Sequence, residues 1–152
     1  MHKLRGNNSR LKAMLQETKT TAIQDVARVL LGTFMVGAGT GHLTFARYPF
    51  HAQVPDWVPQ DKDKVVLESG VAEIALGLSL IFATRYKVAL GIGLAGFYAA
   101  VFPGNIHQYQ RHIAALNLNT DRKRFVRLFF QPVLIGVALW STGALKALQK
   151  GK

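Results

Sequence analysis

At 152 residues, with 19 Lys and Arg against 8 Asp and Glu, the chain carries a formal charge of +11, yet only 18% of its residues are charged and 49% are apolar. A soluble protein carries about 25% charged residues, and the apolar residues here gather into four blocks, 26–46, 65–84, 88–106 and 125–145, so a soluble fold is set aside. The basic residues flank those blocks as juxtamembrane residues do, which sets nucleic acid aside as a partner, and the absence of cysteine removes thiol exchange and Cys-ligated zinc or iron–sulfur centres held by this chain.

Residues 1–22 form a basic segment. Leu11, Met14 and Leu15 fall on one helical stripe, so the segment is either an amphipathic helix on the membrane surface or a disordered tail. It does not read as a secretory signal peptide: the first apolar block begins near residue 26, is too long for an h-region and lacks a small-residue cleavage site.

Residues 23–148 are predicted to form an all-α integral membrane domain, an up-and-down four-helix bundle with helices at about 24–45, 64–84, 87–109 and 124–147. Each is close to the roughly 20 residues that cross the hydrocarbon core, and none shows the polar face of a soluble helix. The first connection, ARYPFHAQVPDWVPQDKDK, contains Pro49, Pro55 and Pro59, which prevent a regular helix. Tyr48 and Trp57 suit the bilayer interface. A structured loop over the mouth of the bundle is predicted, held by these two rings.

The second helix raises the functional question. LESGVAEIALGLSLIFA carries Glu68 and Glu73 in an otherwise apolar run, and a carboxylate at the bilayer centre costs at least about 2.5 kcal/mol. In an up-and-down bundle the ends of helices 1 and 3 share a side with the starts of helices 2 and 4. His42 ends helix 1; Glu68, Ser69 and Glu73 open helix 2; Asn105, His107 and Gln108 end helix 3; Arg127 and Gln131 open helix 4. All nine therefore converge on one side. Glu73 is expected to face the interior near mid-bilayer, with Glu68 nearer the mouth against Arg127 or His42. Pro103-Gly104 and Gln131-Pro132 are expected to break the backbone ladder where it lines a cavity. The glycines at 37, 39, 41, 70, 77, 91, 93 and 96 are expected to permit close helix packing.

Orientation follows from the basic residues. With the termini cytoplasmic, Lys3, Arg5, Arg10, Lys12, Lys19, Arg28, Arg85, Lys87, Lys146, Lys150 and Lys152 lie inside, and Arg47, Lys62, Lys64, Arg111, Arg122, Lys123, Arg124 and Arg127 lie outside. Eleven against eight favours this orientation by the positive-inside rule, although the run Arg122-Lys123-Arg124 opposes it.

GTGHLTFARYPF (39–50), VPDWVP (54–59), SGVAEIALG (69–77), FPGNI (102–106) and RLFFQPVL (127–134), in this order, resemble the bacterial DoxX-like proteins, small four-helix inner-membrane proteins. The resemblance runs from about Arg28 to about Trp140. It implies a bacterial cell membrane and association with a redox complex, and its matching positions are His42, Glu73, Pro103, Asn105 and Gln131. Two functions stand open on this basis. One is a membrane subunit that binds a quinone or lipid-like ligand in the polar pocket; the other is a non-enzymatic assembly protein whose polar network is structural and whose loops bind a protein partner. Whether the chain is an enzyme is undecided. Haem b ligated by His42 and His107, or a metal held by His42, Glu68, Glu73 and His107, is a minor alternative.

Overall fold

The structure, a computed structural model, describes residues 19–150; the stripe of Leu11, Met14 and Leu15 lies outside them. The described residues form α1 (Ala22–Leu43), α2 (Lys62–Phe82), α3 (Lys87–Gln110), α4 (Asp121–Ser141) and a short α5 (Ala144–Lys150). The first four are long and apolar enough to cross a membrane. At about 1.5 Å per residue each matches a hydrocarbon core about 30 Å thick. The protein is an all-α, multi-pass membrane bundle.

Three helices begin two or three residues before the predicted positions because their first turns are polar and capped. Thr21 forms a reciprocal capping box with Gln24, the Asp61 carboxylate accepts from the Asp63 and Lys64 amides, and Thr120 accepts from the Lys123 amide. An apolar run does not reveal such turns, since the residues that satisfy orphan amides are themselves polar. At the other extreme, the predicted fourth helix stops at Ser141, not near 147: Gly143 adopts φ 75 and the chain restarts as α5. Only glycine accepts that left-handed turn without strain.

Helix α1 packs most extensively on α2, and α3 on α4; α1 against α4 closes the bundle, while α2 and α3 touch sparingly. Between them lies a core of Leu31, Met35, Leu80, Leu94, Tyr98 and Ala138. Ile23, Leu30, Phe34, Phe82, Phe129 and Val133 point outward and exposed, which in water would be a liability and in lipid is the expected surface.

The α1–α2 seam is set by two glycine pairs. A Cβ on Gly77 would stand 2.6 Å from the Gly32 carbonyl, and one on Gly70 would stand 2.9 Å from the Gly39 carbonyl and 2.8 Å from the His42 Cβ. The seam therefore closes to backbone contact, and that approach carries His42 against α2. Of the glycines expected to pack helices, Gly39, Gly70, Gly77 and Gly91 do so, whereas Gly37, Gly93 and Gly96 face open space. Neither proline breaks its helix, contrary to expectation: α3 runs through Pro103 and α4 through Pro132. Each only withholds one amide from the carbonyl four residues back.

At the end away from the predicted site, polar side chains finish the helices. The Arg28 guanidinium donates to the Leu80 carbonyl and, at 3.5 Å, to that of Ile81, closing the last turn of α2. Gln24 Nε2 donates to the Trp140 carbonyl at 2.7 Å, which does the same for α4.

Candidate functional site: a polar cavity at one end of the bundle

A cavity of about 210 Å³ opens where α1, α2, α3 and α4 meet under the 44–61 loop. That volume exceeds several waters at about 30 Å³ each. The sparse α2–α3 contact leaves the room, and the loop forms the roof. His42, Ser69, Glu73, Asn105, Arg127 and Gln131 line it, so six of the nine expected residues share one wall. Apolar atoms of Val54, Val66 and Val101 make up much of the rest.

Glu73 is 9% exposed and Asn105 3%. Eleven residues after Lys62, Glu73 sits about 16 Å along the axis, near the middle of the 21-residue α2. His42 Nδ1 stands 2.7 Å from Glu73 Oε2 and 2.8 Å from the Ala38 carbonyl. The nitrogen has at most one hydrogen to share between the two oxygens. Apart from that contact Glu73 Oε2 is buried with no hydrogen bond, and Asn105 Oδ1 is buried with none. Buried polar atoms in a native fold nearly always have partners. Two under-partnered acceptors lining one cavity suit a ligand that supplies donors.

The other polar residues are satisfied. Gln131 Nε2 donates to the Tyr98 carbonyl at 2.9 Å, and its Oε1 accepts from Arg127 Nη1 at 3.1 Å. Gln108, buried, donates to the Ile113 and Ala115 carbonyls at 3.2 Å each and accepts from Gln53 Nε2 at 3.1 Å. It ties the two loops together and does not line the cavity. His107 is also buried, but its Nε2 lies 4.0 Å from Asp56 Oδ2, on the loop side.

Two expectations are corrected. Glu68 does not meet Arg127 or His42: its side chain is 55% exposed and pairs with Lys64 at 3.8 Å, one turn back on the same helix. Five residues from Glu73, it leaves the helix on another face. Tyr48 does not cover the site either; it is 73% exposed, and its ring lies 5.9 Å from the Arg47 guanidinium carbon. The covering ring is Phe50, stacked on His42 with centroids 3.6 Å apart. Trp57 does line the cavity, although it is 74% exposed and stands at the mouth. The suggested ligand pairs also come apart, because His42 lines the cavity while His107 and Glu68 do not. Among the described residues no group of three or more His, Asp or Glu is placed to hold a metal ion.

Ion pairs fix the roof. The Arg47 guanidinium grips Asp63 through two hydrogen bonds, and His51 Nε2 approaches the same carboxylate at 3.1 Å. That bonding raises the Arg47 pKa further. Asp56 accepts from Lys62 Nζ at 2.9 Å and lies 3.8 Å from Arg111; the Lys62 bond first, and the neighbouring cations after it, hold the Asp56 carboxyl below the ordinary aspartate range. Pro49 opens a short 3-10 turn through Gln53. The Gln53 carbonyl then lies so close over Gly104 that no side chain fits there.

Phe50, Gln53 and Tyr98 are among the cavity residues that the sequence reading did not single out. Tyr98 had a signal, since it lies seven residues before Asn105 and so shares its face of α3. The loop residues had none, because contacts made by an irregular segment have no period.

The fold and the site together define a class: multi-pass four-helix membrane proteins with a roofed polar cavity at one end of the bundle. More particularly, the chain belongs to a family described as a domain of unknown function (DUF8561), whose model matches residues 31–142. No curated protein and no solved structure matches it.

Proposed function

We propose that the protein is a DoxX-like subunit of a redox-associated complex in the bacterial cell membrane, with cytoplasmic termini, and that it binds a quinone or lipid-like ligand in the roofed cavity. The observation that carries this reading is the pair of buried, under-partnered acceptors, Glu73 Oε2 and Asn105 Oδ1, on the wall of one cavity at membrane depth. A site for an apolar ligand needs an apolar pocket with a few convergent polar groups. Here the valines supply the first, and Glu73, Asn105 and Arg127 the second. Glu73 and His42 are also the residue types that exchange protons near neutral pH.

A second reading is a non-enzymatic assembly protein whose network is structural. What favours it is that Gln108 and Gln131 both spend their amides on backbone carbonyls, at 3.2 and 2.9 Å. The two readings divide the residues between them: Gln108 and Gln131 hold the fold, and Glu73 and Asn105 face the cavity.

The test is extraction of protein purified gently from its native membrane, followed by mass spectrometry of bound small molecules. One quinone or lipid per chain, lost in Glu73→Gln and Asn105→Leu with the fold kept, supports binding. An unchanged extract from those variants refutes it.

A further inference from the structure

Eight Lys and Arg lie at the cavity end of the bundle, and five of them meet a carboxylate among the described residues: Arg47 with Asp63, Lys62 and Arg111 with Asp56, Lys64 with Glu68, and Arg124 with Asp121. The three that do not are Arg122, Lys123 and Arg127. All three line one groove of about 480 Å³ on the outside of α4. The groove is separate in position from the cavity, and Arg127 alone belongs to both.

The floor is apolar, made by Leu118, Val126 and Phe130. Val126, Phe130 and Val133 are four and three residues apart, so they follow one helical face downward from the charged first turn, and all are exposed. Cations in the first two turns of α4 above an apolar track match one molecule in two parts: an anion at the top and a hydrocarbon chain below. Five paired cations nearby indicate that this end of the protein neutralises its charge where it can, and at this groove it does not.

We propose that the groove binds one anionic phospholipid, its phosphate on Arg122, Lys123 and Arg127 and an acyl chain along Val126 and Phe130. Arg127 Nη1 is held by Gln131 at 3.1 Å, which leaves other guanidinium donors for the phosphate. The groove shares Arg127 with the cavity, while Arg122 and Lys123 line the groove alone.

Native mass spectrometry of the full chain in detergent, titrated with phosphatidylglycerol or with phosphatidylcholine of the same acyl chains, tests it. One phosphatidylglycerol should be retained in clear preference. Arg122→Gln and Lys123→Gln, both exposed and outside the packed core, should each lower its affinity about fivefold, the effect of one basic side chain at an anionic surface. Lys64→Gln, a surface cation at the same end but paired, should leave it unchanged, and Phe130→Ala should weaken it. Equal retention of the two lipids overturns the proposal, as does an equal loss in Lys64→Gln. Displacement by millimolar inorganic phosphate as readily as by the lipid would make this a soluble-anion site and also overturn it.

Discussion

His42 Nδ1 and Glu73 Oε2 stand 2.7 Å apart across the α1–α2 seam, and the same nitrogen lies 2.8 Å from the Ala38 carbonyl, so the two oxygens compete for at most one hydrogen. The close approach of the backbones at Gly39 and Gly70 is what brings His42 to Glu73. A carboxylate positioned in this way is available to a ligand.

Glu73 and Gln131 should therefore respond oppositely to removal of their polar atoms. Glu73→Leu takes away a buried carboxylate whose one close polar neighbour, His42 Nδ1, still has the Ala38 carbonyl, so the thermal midpoint in detergent should hold or rise. Gln131→Leu removes a second bond to the Tyr98 carbonyl and leaves Arg127 without its partner, at about 1–3 kcal/mol for an unsatisfied buried group, and the midpoint should fall by several degrees. A larger fall in Glu73→Leu than in Gln131→Leu would make Glu73 structural.

Gly70→Ala places a methyl 2.8 Å from the His42 Cβ and 2.9 Å from the Gly39 carbonyl. Overpacking of this kind costs about 1–3 kcal/mol, and it also pushes His42 off α2. Gly93→Ala meets nothing within 4 Å and removes the helix penalty of glycine, roughly 0.8–1 kcal/mol, so it should be neutral or stabilising. Thermal melts of the two variants side by side check the contrast.

The roof should loosen in acid. Its Asp56 carboxyl has a folded pKa below the ordinary value, so its stabilising charge is fully present above the unfolded pKa of about 3.9. That contribution is lost as pH falls through the lower folded value. Hydrogen exchange of residues 49–58, corrected for intrinsic rates, should gain an acid-dependent opening below about pH 4. Asp56→Asn should show that opening already at neutral pH.

Because the chain has no cysteine, single cysteines report orientation cleanly. With cytoplasmic termini, a probe at Asn119 should be labelled from outside intact cells and one at Thr84 should not; both positions are exposed at opposite ends of the bundle. The reverse pattern would invert the protein in the membrane.

The four spans were legible because lipid imposes long apolar runs with few exceptions, and the exceptions, Glu73, Asn105 and Gln131, then named the site by topology alone. What stayed illegible depends on geometry that no period encodes. Glu68 and Glu73 differ only in helical phase, yet one faces Lys64 and the other the cavity. Phe50, not Tyr48, stacks on His42 because a 3-10 turn started at Pro49 rotates it inward. The stop at Gly143 did carry a mark, the break Ser141-Thr142-Gly143 with glycine at the helix C-terminus, but the apolar residues on either side suggested one continuous helix.

Trp57 lines the cavity mouth and Trp140 lies at the far end of α4, and these are the chain's two tryptophans. Titration with decylubiquinone in detergent, read by tryptophan fluorescence in Trp140→Phe and Trp57→Phe backgrounds, therefore reports on the cavity directly. Saturable quenching of Trp57 is expected, with only linear quenching of Trp140, and the saturable part should disappear in Glu73→Leu and Asn105→Leu proteins that still melt cooperatively. Equal, non-saturable quenching of both tryptophans, or saturable quenching of Trp57 that survives both substitutions, would contradict a quinone site in the cavity.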